Sequence, residues 1–108
     1  MTALAEPPGF TSGRSMEVCE LATVFKVLGD PARLRMLSMI ACADGGEVCV
    51  CDLKAAFYLT DATVSHHLKL LREAGLILGR RQGSWIYYRV LRERLYELSD
   101  VLDRPLAS

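Results

Sequence analysis

The densest chemistry in the sequence is the run Glu47-Val48-Cys49-Val50-Cys51-Asp52-Leu53, where two thiols stand two positions apart. On a regular helix such a pair points about 200° apart and cannot share an ion, whereas extended or helix-entry backbone lets the sulfurs converge. A short helix is expected just past Cys51, with Asp52 as its cap. A helix start lowers a thiol's pKa and favours the ligating thiolate. Soft thiolates select cadmium, lead, zinc or copper(I) among metals, and trivalent arsenic and antimony by the same logic. The competing reading of any of these cysteines is a small buried hydrophobe.

A second constellation lies ten residues on, in Ala62 to Ala74. On a helical projection Val64, Leu68 and Leu71 form an inward stripe. His67 leans toward it and is expected to pack. Ser65, His66 and Lys69 face away, with Thr63 at the border. Such a face holds short donors, an imidazole and a cation without a large apolar group. It can enter a major groove, hydrogen-bond base edges and touch phosphate. An ordinary solvated helix face is the plain alternative. Further on, Arg80, Arg81 and Gln82 crowd a Gln82-Gly83 turn, where cations would meet a minor groove or the phosphate backbone.

The elements that must position these groups follow from the apolar spacing. Val18, Leu21, Val24, Phe25 and Leu28 mark a first helix beginning near Met16 and stopped by Gly29. Asp30-Pro31 restarts a helix, Asp as N-cap and Pro at the first turn, carrying Leu34, Met36, Leu37 and Ile40. Ala43-Asp44-Gly45-Gly46 breaks it. The short helix Asp52 to Phe57 and the helix from Ala62 are joined by a tight connection, with Thr60 or Asp61 as cap and Gly75 as the stop. Leu76-Ile77-Leu78 and Ser84 to Val90 read as the strands of a hairpin. Trp85, Tyr87 and Arg89 share one face and Ile86, Tyr88 and Val90 the other, with both faces covered. Leu91, Leu95, Leu98 and Leu102 mark a last helix. The order α-α-α-α-β-β-α is mainly helical with a β-hairpin wing, the plan of a winged helix-turn-helix.

Residues 1–15, rich in Pro, Gly, Ser and Thr, read as a flexible arm, and residues 16–108 as one domain. Apolar residues make up 51% and charged residues 24%, which excludes a disordered chain. The chain shows no signal peptide and no membrane-spanning run, so a cytoplasmic protein is expected. In that reducing compartment the four cysteines are not a disulfide framework. The net charge is zero, but its distribution is uneven. Residues 54–94 carry eight Lys/Arg against three acids, between acidic ends. A basic middle segment suits one face turned to phosphate.

Leu28-Gly29-Asp30-Pro31-Ala32-Arg33-Leu34-Arg35-Met36-Leu37 and Glu47 to Leu53 resemble signatures of the ArsR/SmtB family of metal- and metalloid-responsive repressors. So do Thr63-Val64-Ser65-His66-His67-Leu68-Lys69, Arg72-Glu73-Ala74-Gly75-Leu76 and Trp85-Ile86-Tyr87-Tyr88-Arg89. They stand in the family's order and cover about residues 17–103. The resemblance implies a homodimer built through the first and last helices on double-stranded operator DNA, in line with apolar stripes that need burial. A purely intramolecular core is the alternative. It also implies release of that DNA when arsenite or antimonite binds thiolates.

One departure from the family's arsenite motif is notable. Lys54 stands where a third cysteine is expected. The third sulfur then comes from Cys19, resembling members that recruit an N-terminal cysteine from the partner subunit, or from Cys42 across the Gly-Gly loop. Three sulfurs suit As(III) or Sb(III), and four suit Cd or Pb. The family's other sensor set, with histidine on the last helix, is absent, since Leu91 to Asp103 holds no His. A redox switch of the thiols is a further reading. An enzyme such as a thiol oxidoreductase is not expected, because no Cys-x-x-Cys, phosphate loop or triad occurs.

Overall fold

The computed structural model describes residues Glu17–Asp103; the expected arm, residues 1–15, lies outside them. Five helices and three strands are present: α1 (Val18–Leu28), α2 (Pro31–Ala41), β1 (Val48–Cys49), α3 (Val50–Ala56), α4 (Asp61–Glu73), β2 (Ile77–Gln82), β3 (Trp85–Val90) and α5 (Arg92–Asp103). A single 3₁₀ turn, Asp44–Gly46, follows α2. This is a winged helix-turn-helix, with α3 and α4 as the helix pair and β2–β3 as the wing.

The predicted helices form for the expected local reasons. Asp30 caps α2 by accepting the Arg33 N–H at 3.2 Å, with Pro31 in the first turn where its missing N–H costs nothing. Thr60 caps α4, accepting the Thr63 N–H at 3.1 Å. Gly75 ends α4 at φ 78, a left-handed position that only glycine takes cheaply. A Cβ there would also approach the Arg94 guanidinium at 3.4 Å.

Four details differ from the sequence reading. A third strand exists, because Val48 and Cys49 pair with Tyr88 and Tyr87, giving the antiparallel sheet order β1-β3-β2. Two residues are too few to show an alternating pattern, and their partner lies far along the chain. As a result α3 begins at Val50, with Cys49 as its cap, and Asp52 falls in the first turn. In the wing, Gln82 pairs with Trp85, so the tip is Gly83-Ser84 and not Gln82-Gly83. Gly83 has φ 62 while no other residue type has positive φ, the pattern of a type II′ turn. Finally, the wing's outer face is open. Leu78 is 41% and Trp85 51% exposed, because the core covers only the opposite face, which carries Ile77, Tyr88 and Val90.

The core gathers Leu21, Val24, Met36, Leu37, Ile40, Leu53, Val64, Leu68, Leu71, Leu76, Ile77, Tyr88, Val90 and Leu98. It therefore locks α4 and the inner sheet face together. By contrast, α3 contributes one buried residue, Leu53, and α5 one, Leu98. The functional side chains project from this frame.

Candidate nucleic-acid interface and thiol site

Helix α4 presents the expected face. Ser65, His66 and Lys69 are exposed and Thr63 is half-buried. The Thr60 hydroxyl donates to Thr63 Oγ1 at 2.8 Å, which holds that oxygen at the helix entry and leaves its own proton available to a ligand. The tight connection before it exposes Tyr58 fully. Lys54 of α3 lies 3.8 Å from Asp61 in the first turn of α4, tying the two helices at their solvent edge.

His67 takes the inward position. Its Nδ1 lies 3.1 Å from Arg33 Nη1, and its Nε2 lies 3.8 Å from Asp30 Oδ2. Arginine can only donate, so Nδ1 accepts and the ring proton sits on Nε2. Arg33 also donates to the Val27 carbonyl at 2.6 Å. One guanidinium thus joins the end of α1, the start of α2 and the middle of α4. Burial holds the His67 pKa below its ordinary value; Asp30 opposes this, and Arg33 and His66 add to it. The imidazole thus packs between Arg33 and Asp30, off the exposed face of α4.

The wing carries Arg80, Arg81 and Gln82 on β2, all exposed. Arg81 pairs with Ile86 one step from the tip, on the face opposite Arg80. Arg80 is engaged: its Nε and Nη2 donate to the two carboxylate oxygens of Glu47 at 3.0 and 2.7 Å, and its Nη1 donates to Gln82 Oε1 at 2.7 Å. Its guanidinium carbon lies 5.0 Å from the Tyr87 ring centre. The Arg80 hydrogen bonds hold the Glu47 pKa below its usual value. Composition and motif reading missed this pair, since Glu47 and Arg80 are 33 residues apart and meet only through the register of β1 on β3.

The thiol site forms where β1 turns into α3. Cys49 is buried and its sulfur accepts the Cys51 N–H at 3.4 Å, so the two cysteines lie at one helix start. Cys51 is half-buried. Its pKa is raised, first by its hydrogen bond to the Cys49 thiol, then by burial, by Cys49's charge and by that of Asp52. The helix start was expected to lower it. Instead, the neighbouring thiol and burial disfavour the Cys51 thiolate. Cys19 on α1 and Cys42 at the end of α2 are exposed and unpaired with these two. Among the described residues no three of His, Cys, Asp and Glu come close enough to hold one ion. The structure thus brings together two of the candidate sulfurs, and Cys42 does not fold back to join them.

Comparison with known proteins now bears on this arrangement. The family model described as bacterial regulatory protein, arsR family, matches residues 30–78, from the cap of α2 to the start of the wing. The arsenical resistance operon repressor of Staphylococcus xylosus is 39% identical over 88 residues, 82% of this chain and 82% of its own. The chain belongs to the ArsR/SmtB family. Within it, the arsenic resistance transcriptional regulator ArsR1 of Pseudomonas putida is 44% identical over 81 residues, 75% of this chain. The match spans 62% of that relative's length. The solution structure of a homodimeric winged helix-turn-helix domain from Mycobacterium bovis, a possible ArsR-family regulator, superposes with a TM-score of 0.63. It is 32% identical and covers 79% of each chain. These family relatives are transcriptional regulators, not enzymes. Among the described residues no helix is long and apolar enough to cross a membrane.

Proposed function

We propose that the chain is a homodimeric, DNA-binding transcriptional repressor that leaves its operator when As(III) or Sb(III) binds the Cys49–Cys51 pair. One observation carries the reading: the two cysteines meet at the start of α3, one helix before the reading helix α4, with Cys49 on a strand paired to the wing. Ser65, His66, Lys69 and Thr63 meet base edges and phosphates in the major groove. Arg81 and Gln82 at the wing tip meet the adjacent backbone, with Arg80 held behind them by Glu47. The exposed Val18 on α1 and Tyr96 and Leu102 on α5 support pairing of two copies through these helices.

The third sulfur comes from Cys19 of the second copy. Its exposure on α1, the helix assigned to the interface, supports this source. Cadmium or lead bound by the same thiols is the closely related alternative. The ion shifts DNA affinity only by its unequal affinity for the bound and released geometries, which the dimer must therefore possess.

Fluorescence anisotropy on duplex DNA from upstream of the chain's own gene tests the proposal, with arsenite, antimonite, cadmium, lead and zinc titrated separately into reduced protein. Salt-sensitive binding reversed by arsenite or antimonite supports it. Release by cadmium or lead alone moves the effector to the divalent ions. Release by oxidant and by none of the ions replaces ligation with a thiol-redox switch, a second reading that the adjacency of the two sulfurs favours.

A further inference from the structure

Three residues share one row across the sheet: Cys49 on β1 pairs with Tyr87 on β3, which pairs with Arg80 on β2. Glu47 stands two residues before Cys49, and its carboxylate closes the row by gripping Arg80 with both oxygens, at 2.7 and 3.0 Å. Two parallel N–H···O bonds between a guanidinium and a planar pair of oxygens is also how arginine takes a phosphate. The Arg80 side chain is otherwise placed for that role, on the wing, half exposed and next to Arg81. Three of its five N–H donors, including the Nε/Nη2 fork, are engaged internally by Glu47 and Gln82.

We propose that Glu47 is an internal stand-in for a DNA phosphate, withholding Arg80 from the backbone and setting how strongly the wing holds DNA. The wing then engages DNA through Arg81, and Arg80 remains bound to the segment that carries the thiols. Glu47 is thus an affinity-setting residue that acts through Arg80 without touching DNA. The inference rests on the DNA-binding reading and not on the identity of the effector.

A salt-titration cycle on duplex DNA tests it. Each cation placed on phosphate steepens the fall of log K with log[salt] by about 0.9. Glu47→Gln should therefore steepen the slope by about 0.9 per subunit and tighten binding roughly eightfold per subunit at 0.1 M salt relative to 1 M. Glu47→Ala should do the same, guarding against a residual grip by the amide. Arg80→Ala alone should leave the slope unchanged, whereas Arg81→Ala should flatten it. In the Arg80→Ala background, Glu47→Gln should have no effect.

If that gain persists without Arg80, the effect is plain removal of a negative charge and the proposal is wrong. The same holds if Arg80→Ala alone flattens the slope as Arg81→Ala does, because Arg80 would then already lie on phosphate. The grip is also read without DNA. In the free protein the Arg80 Nε–H should exchange slowly with solvent by NMR, and rapidly in Glu47→Ala. Equal exchange in both overturns the grip itself. Slow exchange in a protein that binds no duplex overturns the DNA-binding reading, and the two failures are told apart.

Discussion

Helices α3 and α4 start in the same way and are held very differently. Each is entered from extended backbone with a side-chain acceptor on an early N–H: the Cys49 sulfur at 3.4 Å for α3 and the Thr60 hydroxyl at 3.1 Å for α4. Sulfur is the weaker acceptor. Helix α3 has seven residues and buries only Leu53, whereas α4 has thirteen and buries Val64, Leu68 and Leu71. The helix that carries the thiols is therefore short, singly anchored and capped by an atom that a ligand would claim. The reading helix is anchored three times and capped by an atom with no such competitor. On the proposed function, the helix with the fewest anchors is the one where the signal enters, and the helix with the most is the one that must keep a fixed shape.

Substitutions can break or sharpen this contrast. The largest effect is expected from Cys51→Ser, which keeps the α3 backbone and should leave DNA affinity intact while abolishing release by arsenite. Release that survives would move the ligand site elsewhere. Next, Leu53→Ala should cost about 3 kcal/mol in chemical denaturation, since it removes the sole buried side chain of α3. A loss below ~1 kcal/mol would show that α3 does not depend on that anchor. Thr60→Ala should cost about 1 kcal/mol. A loss below ~0.5 kcal/mol would deny that the hydroxyl caps α4.

The smallest effect is a pH dependence centred on α4. The folded-state pKa of His67 lies below its ordinary value of about 6.5. The unfolded chain therefore binds more protons between the two values. The stability from the neutral ring is present in full above the unfolded pKa and lost as pH falls toward the folded one. Thermal melts at pH 7.5 and 5.5 should show a larger drop for the native chain than for His67→Gln. Equal drops would place the acid sensitivity elsewhere.

Much of the molecule was legible in sequence because its signals are local. Asp30-Pro31, Thr60 and Gly75 punctuate helices within a few residues of themselves, and Val64, Leu68 and Leu71 mark the inward face of α4 by spacing alone. The same projection separated exposed His66 from packed His67. What escaped was non-local. Strand β1 exists only through its pairing with Tyr87 and Tyr88, and without it Asp52 looked like the cap of α3. The Glu47–Arg80 and Arg33–His67 contacts bridge 33 and 34 residues, beyond any periodicity. A cation at one end of a sheet row and an acid two residues before its other end is the signal that would have found the first, once the register was known. The raised Cys51 pKa was hidden for a related reason. Helix-start arguments treat a thiol singly, and here the neighbouring sulfur outweighs the helix.

The sheet order β1-β3-β2 leaves the six-residue β2 with one side unpaired. An open strand edge offers a row of backbone donors and acceptors to any other chain and is a common start of aggregation. In β2 that edge carries Gly79, Arg80, Arg81 and Gln82, a glycine that pairs poorly, an arginine already paired with Glu47, and in Arg81 a cation that repels its own copy. The residues that suit the wing to a polyanion therefore also keep two wings from zipping together. Solubility and DNA attraction draw on the same positive charge, and the chain cannot dilute one without exposing the other.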